Sequence, residues 1–184
     1  MYDQIEKERE CIWKNIGKEV YIAGSYYTGE YIPEYSDIDF WLFVEDPLSI
    51  LKKVQEYTHV SPKWLEIVRQ NGIPFHYYVF TYKKDGQTYQ ITIKPLEKKR
   101  QDLEEERRRK YQSKMPHYQK AKEQFLQAKK KYYEQLQNHP NPVHEKQIHS
   151  AYYREKNLYF DLFREPSMKS MLIRNLGFLQ LFPN

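Results

Sequence analysis

The sequence predicts an α+β fold: an N-terminal helix, a small mixed sheet, then a helical C-terminal region. Three observations carry this. Strand-like apolar runs and a hairpin signal fall before Pro95, and none follows it. Beyond Pro95, apolar residues recur every three or four positions, which is the helical period. The charge balance changes at the same place: residues 1–95 hold 11 Lys+Arg and 14 Asp+Glu, whereas residues 96–184 hold 19 and 11. Two regions are therefore expected, an acidic α/β domain at 1–95 and a basic helical region at 96–184.

Residues 2–16 set Ile5, Cys11, Ile12 and Ile16 among charges, an amphipathic helix with Cys11 on its core side. Val20–Ala23 is a short strand stopped by Gly24. Ile38–Val44 is almost wholly apolar, as in a strand covered on both faces. Pro47 opens a helix to about Tyr57, and Pro62 opens another to about Gln70, closed by Gly72. Phe75–Tyr82 and Thr88–Ile93 flank Asp85-Gly86 and form a hairpin.

The stretch 96–114 has almost no apolar face and does not by itself support a stable helix. Pro116 interrupts it. From His117 to Gln137, Tyr118, Ala121, Phe125, Ala128, Tyr132 and Leu136 make one apolar stripe. After a turn at Asn138–Pro142, helices are expected at 143–163 and 167–176, the last capped by Gly177.

The chain has 184 residues, 40% apolar and 30% charged, with a net charge of +5. Its mean hydropathy is −0.94, and no apolar run approaches the roughly 18–20 residues of a membrane span. The N-terminus MYDQIEKERE lacks the apolar stretch of a secretory signal. A single cysteine leaves no internal disulfide and no cysteine-rich zinc module. A cytoplasmic protein with no membrane partner is expected.

The chemistry concentrates in Tyr21–Glu45. A strand ends at Gly24-Ser25, and Asp37 and Asp39 open the next strand. Alternate strand residues share a face, so both carboxylates point the same way. Adjacent carboxylates repel, and a divalent cation is the usual compensation. Oxygen ligands favour Mg²⁺ or Mn²⁺ over zinc. A small Gly-Ser turn lets backbone N–H groups and a hydroxyl approach phosphate.

These residues resemble the nucleotidyltransferase superfamily typified by DNA polymerase β, which includes antibiotic adenylyltransferases. Its signature joins a Gly-Ser turn to a later Asp-x-Asp strand, and Gly24, Ser25, Gly29, Ser36, Asp37, Ile38 and Asp39 fit it. The resemblance covers about residues 18–95 and implies a mixed-sheet nucleotidyltransferase core. It implies that Asp37 and Asp39 are catalytic and hold two Mg²⁺ (or Mn²⁺) ions, one lowering the pKa of the acceptor hydroxyl and one bridging the triphosphate, and that Gly24, Ser25 and Ser36 bind a nucleoside triphosphate, ATP being the expected one. A nucleoside monophosphate would pass to an acceptor hydroxyl on a small molecule such as an antibiotic, on RNA or on protein, releasing pyrophosphate.

The resemblance also implies a third carboxylate after the hairpin, and Gln90 stands at that catalytic position. An amide is not a carboxylate base, so the alternative reading is a nucleotide- or RNA-binding protein with impaired catalysis. His76 reads as a strand histidine that reaches the site less readily than it serves the structure. His144 and His149 are off the spacing that pairs zinc ligands on a helix. Arg107–Lys110 (RRRK) reads as a solvated face or a phosphate-binding run, and Tyr26, Tyr27, Tyr31 and Tyr35 as loop packing or base-stacking rings.

Overall fold

The computed structural model describes residues 2–68, 74–138 and 142–163. The chain divides into two compact units, the first ending at Lys110 and the second beginning at Tyr111. The first unit thus continues past Pro95 and takes in one more helix.

Its centre is a five-stranded sheet in the order β1-β2-β5-β4-β3. The strands are β1 Tyr21–Ala23, β2 Ile38–Val44, β3 Lys63–Val68, β4 Pro74–Lys84 and β5 Gln87–Pro95. β2 and β5 run parallel, and the other three pairs are antiparallel. The β4–β5 hairpin turns at Asp85-Gly86, both with positive φ (49° and 79°). Helices α1 Tyr2–Ile16 and α3 Leu48–Thr58 bury their apolar residues in the same cluster as one face of this sheet. Ile5, Ile12, Ile16, Ile50 and Val54 meet Phe40, Leu42, Phe80, Ile91 and Ile93 there. Burial of this kind supplies the main driving force for folding.

Three expectations need correction. The helix expected from Pro62 to about Gln70 is strand β3 over its described part, paired along β4 from Lys63↔Val79 to Val68↔Pro74. Its Trp, Ile and Val content suits a strand, and pairing with β4 overrides the Pro and Gly punctuation. Cys11 is exposed, not in the core. The buried stripe of α1 is Ile5, Glu8, Ile12 and Ile16. Strand β2 is covered on both faces as expected: Ile38, Phe40 and Leu42 are enclosed on one, and on the other Phe43 is buried while Asp39 and Trp41 are half-buried. Residues 99–112 do form a helix, α4 (Lys99–Gln112).

In the second unit, α5 Pro116–Asn138 and α6 Pro142–Asp161 form an antiparallel pair. Aromatic rings hold it. Phe125 stacks on Tyr159 at 4.6 Å, Tyr132 on Tyr152 at 4.2 Å and Tyr118 on Phe163 at 5.3 Å. The helix expected at 167–176 lies outside the described residues. Among the described residues no helix is long and apolar enough to cross a membrane.

Candidate functional site

Because Ile38, Phe40 and Leu42 face the core, Asp37, Asp39 and Trp41 face the other side of the sheet. β1 ends at Ala23, the Cα partner of Asp39. Gly24 then turns with φ 64° into the five-residue helix α2, Gly24–Thr28, which Gly29 closes at φ 85°. A Cβ at Gly24 would stand 1.8 Å from Asp39 Oδ2. Only a glycine allows both the positive φ and this approach, so Asp39 is seated directly against the Gly-Ser turn.

Ser25 is half-buried beside it, and its carbonyl accepts the N–H groups of Gly29 and Glu30 at 2.9 and 2.8 Å. Across the parallel pair, Gln90 is the Cα partner of Asp39, and its Nε2 donates to Asp37 Oδ2 at 3.3 Å. Gly24, Asp37, Asp39 and Gln90 therefore converge. Ser36 is buried in the loop: its hydroxyl accepts the Ile32 N–H at 3.0 Å, and its carbonyl accepts from Gln87 Nε2 at 3.1 Å. Gln87 also accepts from Tyr31 at 2.8 Å, which ties the loop to β5.

A charged network continues from this face onto α4. Lys94 follows Gln90 and Thr92 on the same side of β5, is 7% exposed, and places Nζ 3.3 Å from the Trp41 ring centroid. It pairs with Asp102 of α4 at 2.8 Å. Burial pulls the Lys94 pKa down, opposed by Asp102 and more weakly by Asp39. Further along α4, Arg109 pairs with Glu106 at 3.1 Å and with Glu30 at 3.7 Å, and Thr28 Oγ1 donates to Glu30. Burial raises Glu106 to about 7 even though Arg109 opposes the shift. Local sequence pattern does not single out Glu30, Lys94, Asp102 or Glu106. The alternation Gln90, Thr92, Lys94 in β5 was the available signal.

Arg107–Lys110 lies in α4, where Arg109 turns inward to the carboxylates and Lys110 Nζ sits 4.2 Å from the Tyr27 ring centroid. Tyr26 packs edge-on against Tyr31 at 5.4 Å. His76 is away from the dyad: it lines a cavity of about 650 Å³ at the opposite end of β2, with Glu45, Asp46, Pro95 and Glu97. His149 is engaged with Tyr132 at 2.9 Å.

The donor set suits a hard divalent cation. Two half-buried carboxylates share one face beside a backbone turn, and water or phosphate oxygens complete such a shell. Among the described residues, no group of three or more His, Cys, Asp and Glu is placed to hold a metal ion.

A mixed sheet that carries Asp-x-Asp on its central parallel pair, against a Gly-Ser turn, defines a nucleotidyltransferase core. Residues 3–149 match the family model of the nucleotidyltransferase domain, and the chain belongs to that family. Among solved structures, the crystal structure of the conserved protein GrpB from Enterococcus faecalis aligns with a TM-score of 0.52 at 12% identity, over 89% of this chain and 94% of that one. The Cid1 poly(U) polymerase aligns with a TM-score of 0.46 at 15% identity, over 73% of this chain and 40% of that one. This chain thus spans about two fifths of the polymerase's length. Cid1 in complex with the UTP analog UMPNPP gives 0.43 at 15% identity, over 73% of this chain and 40% of that one. No curated protein gives a sequence match.

Proposed function

We propose that this family member is a cytoplasmic, divalent-metal-dependent enzyme that moves a nucleoside monophosphate from a nucleoside triphosphate to an acceptor hydroxyl on a small molecule or RNA. The observation that carries the reading is the seating of the Asp39 carboxylate against Gly24, with Asp37 and Gln90 alongside. Asp37 and Asp39 hold Mg²⁺ or Mn²⁺. A metal held there would lower the pKa of the acceptor hydroxyl and offset charge on the triphosphate. The Gly24-Ser25 turn takes up phosphate oxygens with backbone N–H groups and the Ser25 hydroxyl. Ser36 contributes to nucleotide binding by holding the loop that leads into the dyad.

A second reading has its own observation. Gln90 occupies the strand position across from Asp39 and donates a hydrogen bond to Asp37, where an ionised carboxylate would only accept. The protein would then bind a nucleoside triphosphate and transfer slowly or not at all. A positioned base contributes about 10²–10⁴-fold, which sets the size of the deficit. Pyrophosphate release with each of ATP, UTP, GTP and CTP, with Mg²⁺ or Mn²⁺ and a panel of hydroxyl acceptors, separates the two. Turnover lost in Asp39→Ala supports the enzyme, and nucleotide binding without turnover supports the second reading. No nucleotide binding by any variant overturns both.

A further inference from the structure

We propose that Arg109 of α4 is a positioning residue that sets the Gly24–Ser25 turn for a triphosphate, acting through Glu30 and Thr28. The inference rests on the phosphate role proposed above for that turn. It also gives a task to Arg109, the member of the Arg107–Lys110 run that turns inward. A guanidinium is a rigid fork that can hold two carboxylates at once. Arg109 does so: Nη1 meets Glu106 Oε1 at 3.1 Å, and Nη2 lies 3.7 Å from Glu30 Oε2. Glu30 is buried and faces the Thr28 hydroxyl, which also lies 2.9 Å from the Gly24 carbonyl. A hydroxyl has one proton to donate, and carboxylate and carbonyl both accept it. The Arg109 charge lowers the demand of Glu30, which leaves that proton to the Gly24 carbonyl. Without Arg109, the buried carboxylate competes for it.

The Gly24 carbonyl matters because a peptide unit is planar and trans, so its C=O and N–H point in opposite directions. Fixing this carbonyl fixes the Ser25 N–H. The Ser25 carbonyl accepts from Gly29 and Glu30 at 2.9 and 2.8 Å, which fixes the Tyr26 N–H in the same way. Backbone N–H groups of this kind are what a turn offers to phosphate oxygens. Arg109 therefore reaches the phosphate-binding backbone through one side chain and one hydroxyl.

Equilibrium binding to the full chain of ATP, UTP, GTP and CTP, each beside its own monophosphate and all with Mg²⁺, tests the relay. The readout is the ratio of triphosphate to monophosphate affinity, because a merely structural loss lowers both together. Arg109→Gln and Thr28→Val should each lower the ratio about tenfold, the scale of one hydrogen bond to a charged group. The double variant should lower it little further, since both changes break one relay. Arg109→Lys keeps the charge without the fork and should lie between Arg109→Gln and the wild type. Thermal melting shows which variants fold, and Arg109→Lys takes the place of Arg109→Gln in the cycle where the latter does not. An unchanged ratio in Thr28→Val or in the folded Arg109 variant of the cycle, or additive losses in the double variant, would overturn the relay and leave the phosphate reading intact. Wild-type protein that binds no nucleotide, or binds triphosphate no better than monophosphate, would instead remove the phosphate reading and this inference with it.

Discussion

The two faces of the one sheet are built by opposite rules. On the face toward α1 and α3, Phe40, Leu42, Phe80, Ile91 and Ile93 are completely enclosed, and apolar contact organises the packing. The face toward α4 carries Asp39, Gln90, Thr92 and Lys94 from the same two central strands, with the buried Lys94–Asp102 pair reaching the helix. Adjacent residues of β2 and β5 thus serve stability and chemistry in alternation. Buried charge pairs contribute little net stability, because desolvation offsets their attraction. The apolar face therefore anchors the fold, and the polar face can hold charge where a reaction needs it.

The largest expected effect tests that division. Phe40→Ala removes a fully enclosed ring that stacks near Tyr89 at 5.9 Å and should cost about 3–5 kcal/mol in urea unfolding. Asp39→Ala, one position away on the other face, should cost far less stability while abolishing divalent-cation binding. Equal losses of stability in the two variants would show that the faces are not specialised as described.

The same contrast explains what could be read from the sequence. Apolar alternation marks β2, β5 and the hairpin, and the Gly-Ser turn and Asp-x-Asp stand out because each breaks an apolar run. Helix α4 was illegible because the surface it covers is itself polar: its inner residues are Asp102, Glu106 and Arg109, so no apolar stripe exists. Glu8 misled in the same way. The sequence pattern points to Cys11 as the core residue, but Glu8 takes the inner position between Ile5 and Ile12. Its carboxylate is met by hydroxyls that lie 49 and 74 residues away. Such long-range partners have no local signature. Edge strand β3 was missed because a six-residue strand with mixed apolar and charged residues has no decisive period.

Glu8 also offers the second prediction, since it is the one charged residue of the α1 stripe on the apolar face. Tyr57 and Tyr82 donate to its Oε1 at 2.7 and 2.6 Å, and Lys84 pairs with Oε2. Burial, reinforced by Glu8, pushes both tyrosines to higher pKa, so they remain donors throughout the useful pH range. Glu8→Ala strands these hydroxyls and should cost about 2–4 kcal/mol. Glu8→Gln keeps an acceptor and should recover part of the loss. A neutral Glu8→Ala in chemical denaturation would mean that water reaches the hydroxyls.

The smallest effect is a pH slope from the polar face. Glu106 is buried among Arg109 and Glu105 of its own helix, Lys94 of β5 and Glu30 of the loop after α2, and its pKa rises to about 7 from an ordinary 4.5. Between those values the folded state holds a proton that the unfolded chain has released, so stability falls as pH rises through this window. Below about 4.5 both states are protonated, and above about 7 both are ionised, so the penalty is then constant. Glu106→Gln mimics the protonated form and keeps the carbonyl that faces Arg109. It should therefore match the wild type near pH 4.5 and exceed it by about 1–2 kcal/mol at pH 8, less than the full shift because Arg109 loses an ionic partner. Urea midpoints of both proteins across this range provide the measurement. A wild-type excess at pH 8 would show that the Arg109 pair outweighs the desolvation of Glu106, and that the polar face contributes to stability by the rule of its own charges.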